Sequence, residues 1–161
     1  MLMKRQILTF ATVCTAATFI MGTCKKDDPQ PADASIIGTW KMTGYVSDRE
    51  LTDGNGTKFT NILGTFENCA KDNLYIFKDG GVFQLDEGPT KCSSSSPQVQ
   101  NRAWTKNGNN LTITPGINAT ITQLDATTLI YSTPGYYRFT RDQGATYDST
   151  YAVFTLTHAR Q

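Results

Sequence analysis

Asn73-Leu74-Tyr75-Ile76-Phe77-Lys78-Asp79-Gly80-Gly81-Val82-Phe83-Gln84-Leu85-Asp86 decides how the rest of the chain is read. Two short runs of aromatic and aliphatic residues flank Lys78-Asp79-Gly80-Gly81, a composition suited to a tight hairpin turn. A two-residue turn would face Ile76 with Phe83. A three-residue loop would instead face Phe77 with Phe83 and Tyr75 with Leu85. The second register gathers four large apolar groups on one face and leaves Ile76, Gln84 and Asp86 on the other. That is the expected register, because a one-residue slip would turn the apolar set away from the core.

Outward from this hairpin, helical periodicity is nearly absent and turn signals recur about every eight to twelve residues, as in a meandering sheet. Residues 98–106 and 110–114 are joined by Asn107-Gly108-Asn109, and Pro115-Gly116 leads into 117–124. Asp125-Ala126 precedes 127–133, Pro134-Gly135 is expected to interrupt, and 136–140 extends that strand. Thr150 to Thr157 closes the series, with Ala152, Phe154 and Leu156 inward. On the other side, Ile36, Gly38, Trp40, Met42, Gly44 and Val46 alternate onto one face. The expectation is an all-β chain of eight antiparallel strands, near the number at which an up-and-down sheet closes into a barrel. Ser47 to Asn68 and Arg141 to Ser149 do not fit the meander and read as long loops at the barrel ends.

The start of the chain has the order of an export signal. Lys4 and Arg5 precede an apolar stretch from Ile7 to Met21, which is short for a membrane span. Met21-Gly22-Thr23-Cys24 follows, and this resembles the lipobox at which a lipoprotein is acylated on Cys and cut before it. Thr23 stands where Gly or Ala is more usual. The resemblance implies a signal peptide over 1–23, lipidation at Cys24, a tether over 24–35 and a domain over 36–161. It also implies an exported protein held on the outer membrane through its lipid. Lys26-Asp27-Asp28 resembles the short signal that sends some such proteins to the outer face, although a solvated tether explains it as well.

The whole chain carries 15 Lys and Arg against 14 Asp and Glu. Without the leader the balance is one negative charge, which argues against a nucleic-acid partner. Cys69 and Cys92 remain after the leader and Cys24 are set aside, and an oxidising compartment makes them a disulfide.

Gly38-Thr39-Trp40 is a G-x-W at the start of the first strand. Together with Cys69 to Gln98, Trp104 and Leu111-Thr112-Ile113-Thr114, it resembles the lipocalin-like domain of short bacterial lipoproteins. The likeness runs from about Ile36 to Thr157. It implies a barrel closed at one end, where Gly38 and Trp40 pack beneath an arginine after the last strand. Arg160 suits that place, with Arg138 as a rival; all are structural. No further lipocalin motif is clear.

Chemistry is sparse. His158 is the only histidine, no G-x-S-x-G is present, and Ser93 to Ser96 reads as loop, so neither catalytic residues nor an enzyme is expected. Asp53-Gly54-Asn55-Gly56-Thr57 has some oxygen ligands of a calcium loop but not its spacing, and a lone His with two paired Cys cannot complete a zinc shell. No metal or cofactor is expected. Asp148-Ser149-Thr150 matches a short bacterial O-glycosylation signal, and Asn55, Asn110 and Asn118 each begin an N-x-Thr. The remaining site is the barrel interior. Tyr75, Phe77, Phe83, Leu85, Trp104, Tyr131 and Phe154 are the candidate ligand-binding residues, joined on the inward face by Leu111, Ile113, Ile121, Leu129 and Leu156. Either they line a cavity for a small hydrophobic molecule, or they fill the barrel of an envelope accessory protein that meets a protein or glycan through its loops.

Overall fold

The computed structural model describes residues 34–141 and 146–161. The leader, Cys24 and nearly all of the tether lie outside the described residues. Nine strands follow: β1 (Gly38–Thr52), β2 (Lys58–Asn61), β3 (Leu74–Lys78), β4 (Val82–Asp86), β5 (Val99–Asn107), β6 (Asn110–Thr114), β7 (Ile117–Leu124), β8 (Thr128–Arg141) and β9 (Thr146–Arg160). A single helical turn, α1 (Asn68–Lys71), precedes β3. Each strand from β3 to β9 pairs with the next, β1 pairs with β3, and β9 returns to β1. Eight antiparallel strands, β1 and β3 to β9, therefore close a barrel, and closure removes the exposed edges that an open sheet would offer. β2 is an addition that pairs only with the far half of β1.

The β3–β4 hairpin has the register that its apolar pattern calls for. Phe77 faces Phe83, Tyr75 faces Leu85 and Ile76 faces Gln84. Gly80 and Gly81 in the loop have φ of 74° and 76°, a conformation glycine adopts without steric cost.

In β1 the expected alternation holds for Ile36, Trp40 and Met42 and then inverts. Met42 pairs with His158 but Gly44 pairs with Thr157, so one additional residue is inserted between them. A bulge of this kind turns every later side chain to the opposite face. Tyr45 packs on the core and Ser47 is buried, whereas Val46, expected inside, is 43% exposed.

Three further segments differ from the reading of the sequence. Residues 47–68 are not a long loop: β1 continues to Thr52, turns through Asp53 to Thr57 and returns as β2. Asp53 shapes that turn, its Oδ1 accepting from the backbone N–H groups of Asn55 and Thr57 at 2.9 and 2.8 Å. Of the second expected loop, Arg141 belongs to β8 and Thr146 to Ser149 belong to β9, with Arg141 paired to Thr146. Pro134-Gly135 does not break β8, which continues its pairing with β9 at Pro134–Val153 and Gly135–Ala152. Proline is tolerated because β7 is leaving β8 at this level. The Asn118 carbonyl accepts from the Thr133 hydroxyl at 2.8 Å, so it does not depend on the N–H that Pro134 lacks.

Candidate functional site

Alternation along the strands divides the barrel into two ends. The end where β1 begins also holds the β3–β4, β5–β6 and β7–β8 turns and the end of β9; it is called lower here. The upper end holds the β1–β2 and β6–β7 connections, the end of β8, the start of β9 and the segment between β4 and β5.

Trp40 is fully buried at the lower end, and its indole N–H donates to the Ile36 carbonyl at 2.8 Å. Arg160 lies over the Trp40 ring, 4.2 Å from its centre. The guanidinium donates to Ala126 O at 2.7 Å, Ile37 O at 2.9 Å and Ser35 O at 2.6 Å. Gly38 sits directly beneath it, and a Cβ there would collide with Arg160 Nη1. Arg138 is elsewhere, on β8 opposite Ser149. This end is a packed floor.

Above it, His158 is 1% exposed, stacked on Tyr131 at 5.2 Å and edge-on to Tyr75 at 4.9 Å. Neither imidazole nitrogen has a partner in hydrogen-bonding geometry, although the Leu129 carbonyl lies near enough to favour the charged ring slightly. Burial wins and lowers its pKa to about 4, so the ring is neutral at pH 7. Burial also pushes the Tyr45 and Tyr131 hydroxyls up and takes Tyr75 up to about 12, with the Tyr45 hydroxyl adding to the Tyr75 shift. The middle of the barrel is aromatic, polar at its hydroxyls and uncharged.

The upper half is different. Directly opposed residues in antiparallel strands share a face, so Tyr75, Leu85 and Gln100 point inward together, and Phe83 and Arg102 do so one layer below. Phe77 and Phe83 are buried, as are Leu111, Ile113, Ile121, Leu129, Tyr131, Phe154 and Leu156. Tyr45, Tyr75, Leu85, Gln100 and Arg102 also face inward yet stay partly exposed. A side chain aimed into a barrel keeps exposure where it borders solvent at the rim or space that packing does not fill. Trp104 is at one side, edge-on to Phe77 at 5.3 Å and donating from Nε1 to Lys78 O at 3.1 Å. The seven candidate residues thus share one interior: Phe77, Phe83, Tyr131 and Phe154 are buried there, and Tyr75, Leu85 and Trp104 are partly exposed.

Two hairpins rise above this space. Leu51 near the end of β1 is fully buried, and Phe59 of β2 packs edge-on to Tyr137 of β8 at 5.5 Å. Gly54 at the β1–β2 turn lies so close to the Thr140 carbonyl of β8 that a Cβ would overlap it. The two hairpins therefore meet over part of the upper end. β6 is only five residues long, and the Pro115 carbonyl in the turn after it reaches Arg102 Nη1 at 3.4 Å. The wall is low on this side.

Cys69 of α1 and Cys92 of the segment between β4 and β5 are joined in a disulfide with Cα atoms 5.1 Å apart. Glu67 lies with them, the one grouping among the described residues with the spacing of a metal site, but disulfide sulfurs are not thiolate ligands. Ser149 of the glycosylation-like motif is exposed on β9; Asn55 is in the β1–β2 turn, and Asn110 and Asn118 are in strands.

Tyr45, Gln100 and Arg102 were not among the residues expected at the site. The bulge hid Tyr45. Arg102 and Gln100 were legible, since they stand two and four positions before Trp104 on the same face of one strand.

No curated protein matches the chain, and no solved structure does. Residues 36–131, by contrast, match the model of the lipocalin-like domain. That match spans more than half of the chain and covers the G-x-W, the Cys-framed hairpin and the strands through Tyr131, and the closed eight-stranded barrel is the fold such a family requires: the chain belongs to the lipocalin-like domain family.

Proposed function

We propose that this protein is a non-catalytic binding protein that holds a small hydrophobic molecule in the upper half of its barrel. The partial exposure of inward-facing Tyr45, Tyr75 and Leu85 carries this reading. A barrel filled throughout would bury them as it buries Leu111 and Leu129. Ligand sites commonly combine an apolar lining with a few polar groups, and here the tyrosine hydroxyls and Gln100 supply them.

The leader and Cys24 motif support export and anchoring through lipid on Cys24, with the barrel held at the outer membrane by its tether. Several acyl chains are needed for a stable anchor, since one alone is marginal. Replacing Cys24 by Ala should move the protein from the membrane to the soluble fraction and abolish incorporation of labelled fatty acid. Retention in the membrane fraction would count against the anchor.

Native mass spectrometry of the protein taken from its own envelope tests the binding role. A small-molecule adduct lost on denaturation is expected. Leu85→Trp should fill the cavity and remove that adduct while the fold persists; an adduct unaffected by this change would place the ligand elsewhere.

One observation favours a second reading, an accessory protein that meets a protein or glycan. Tyr136 and Tyr151 pair edge-on at 5.1 Å on the outside of β8 and β9, 62% and 50% exposed. Replacing both by Ser without losing any partner would speak against it.

A further inference from the structure

We infer that the ligand is an organic monoanion with an apolar body, and that Arg102 holds its anionic group. This rests on the cavity reading above and names the chemistry of that site. Arg102 and Arg160 both lie against the barrel interior, and their surroundings differ. Arg160 spends Nε, Nη1 and Nη2 on three backbone carbonyls and lies against Trp40, so it is fully committed to structure. Arg102 faces inward opposite Phe83, partly exposed at the low side of the wall. The one hydrogen bond of its side chain among the described residues is the 3.4 Å contact from Nη1 to the neutral Pro115 carbonyl. No carboxylate lies within ion-pair distance of it among the described residues.

An inward arginine with most of its fork unused suits a carboxylate or similar oxyanion, which accepts two parallel N–H bonds. The neighbours do not compensate its charge. Burial disfavours the charged form in all four neighbours, so Tyr45, Tyr75 and Tyr131 keep their protons and His158 does not gain one. Gln100, one inward position above Arg102, adds an uncharged amide that bonds an oxyanion as donor. Glu87 is the acidic side chain on β4's continuation, nine-tenths buried, with one carboxylate oxygen unpartnered. It stands four positions beyond Phe83, about 13 Å along an extended strand, too far to pair with Arg102. The apolar body of the ligand would lie against Leu85 and Tyr75, and its anionic end would stay at the low wall beside Pro115, where solvent access lowers the cost of bringing in a charge.

Dodecanoate and dodecan-1-ol, equal in chain length, separate charge from apolar burial. Each is titrated by calorimetry into the full chain in lipid nanodiscs at pH 7.4 and low salt, with empty discs subtracted. Dodecanoate should bind at least about tenfold more tightly than the alcohol, the scale of one charge-assisted pair. Arg102→Gln should level the two by weakening the acid alone, and Arg102→Lys should keep part of the difference. Equal affinities in the native protein, or an undiminished acid preference in Arg102→Gln, would overturn the anion inference while leaving the cavity standing. Failure of both probes to bind would overturn the cavity reading and this inference with it. Should Arg102→Gln fail to fold, the acid-to-alcohol ratio of the native protein and the Lys variant decide the matter.

Discussion

The guanidinium carbon of Arg160 stands 4.2 Å from the centre of the Trp40 ring, so the last strand is clamped onto the first where the barrel closes. The two residues are also directly paired across β1 and β9. One side chain therefore joins the chain's end to the segment before β1 and to the β7–β8 turn. Arg160→Ala removes three charge-assisted bonds and a cation–π contact, and should cost about 2–4 kcal/mol in urea unfolding. Arg160→Lys should recover only part of this, since an ammonium lacks the planar fork that reaches Ile37, Ser35 and Ala126 together.

Gly38→Ala should act through the same clamp. Gly38 has φ of 141°, and a Cβ there meets Arg160 Nη1, so the guanidinium must leave its seat. A lower melting temperature is expected, together with a change in Trp40 fluorescence; an unchanged spectrum would mean that Arg160 does not depend on this glycine.

Acid should weaken the fold through His158. Its folded pKa of about 4 is below the usual 6.5, so the unfolded chain binds more protons between those values. Its contribution is present in full above pH 6.5 and is lost as pH falls towards 4, amounting to about 3 kcal/mol. His158→Phe keeps an aromatic ring against Tyr131 and Tyr75 and should flatten this part of the pH profile. The check is urea unfolding at several pH values between 4 and 7.5, where an equal slope in both proteins would show that other groups carry the acid sensitivity.

Loss of the Cys69–Cys92 bridge should destabilise by about 3 kcal/mol on the loop-entropy model, for a sequence separation of 23 residues. Cys69→Ser with Cys92→Ser, compared with the native protein under reducing and oxidising conditions, measures it. The double variant should match the reduced native protein.

Gly54→Val should separate the two hairpins over the upper end, because the Thr140 carbonyl occupies the space a side chain needs. Faster amide exchange is expected in β2 and in the upper part of β8, with β6 and β7 unchanged. Uniform protection across the variant would show that the hairpins do not lean on each other there.

Much of this architecture was legible because a strand repeats every two residues and glycine-rich turns punctuate it. The β3–β4 register followed from Tyr75, Phe77, Phe83 and Leu85, since only one pairing puts all four on one face. The barrel's strand number and the Cys69–Cys92 pairing followed from similarly local signals. Arg102 was also within reach: Trp104 was placed inward, and strand periodicity carries its neighbour two positions earlier to the same side.

The sequence by itself determined the all-β class, the hairpins and the resemblance to lipocalin-like domains, because these depend on near neighbours and on patterns repeated within single strands. Tertiary structure alone decided the rest. The bulge between Met42 and Gly44 comes from pairing with β9, more than a hundred residues away, and it alone brings Tyr45 inward and puts Val46 outside. Residues 47–52 and 58–61 become strand because the far half of β1 finds a partner in β2, a choice polar turn-rich sequence does not announce. Which inward residues are packed and which border open space depends on how eight strands fill one volume. Leu111 is buried and Leu85 partly exposed for that reason.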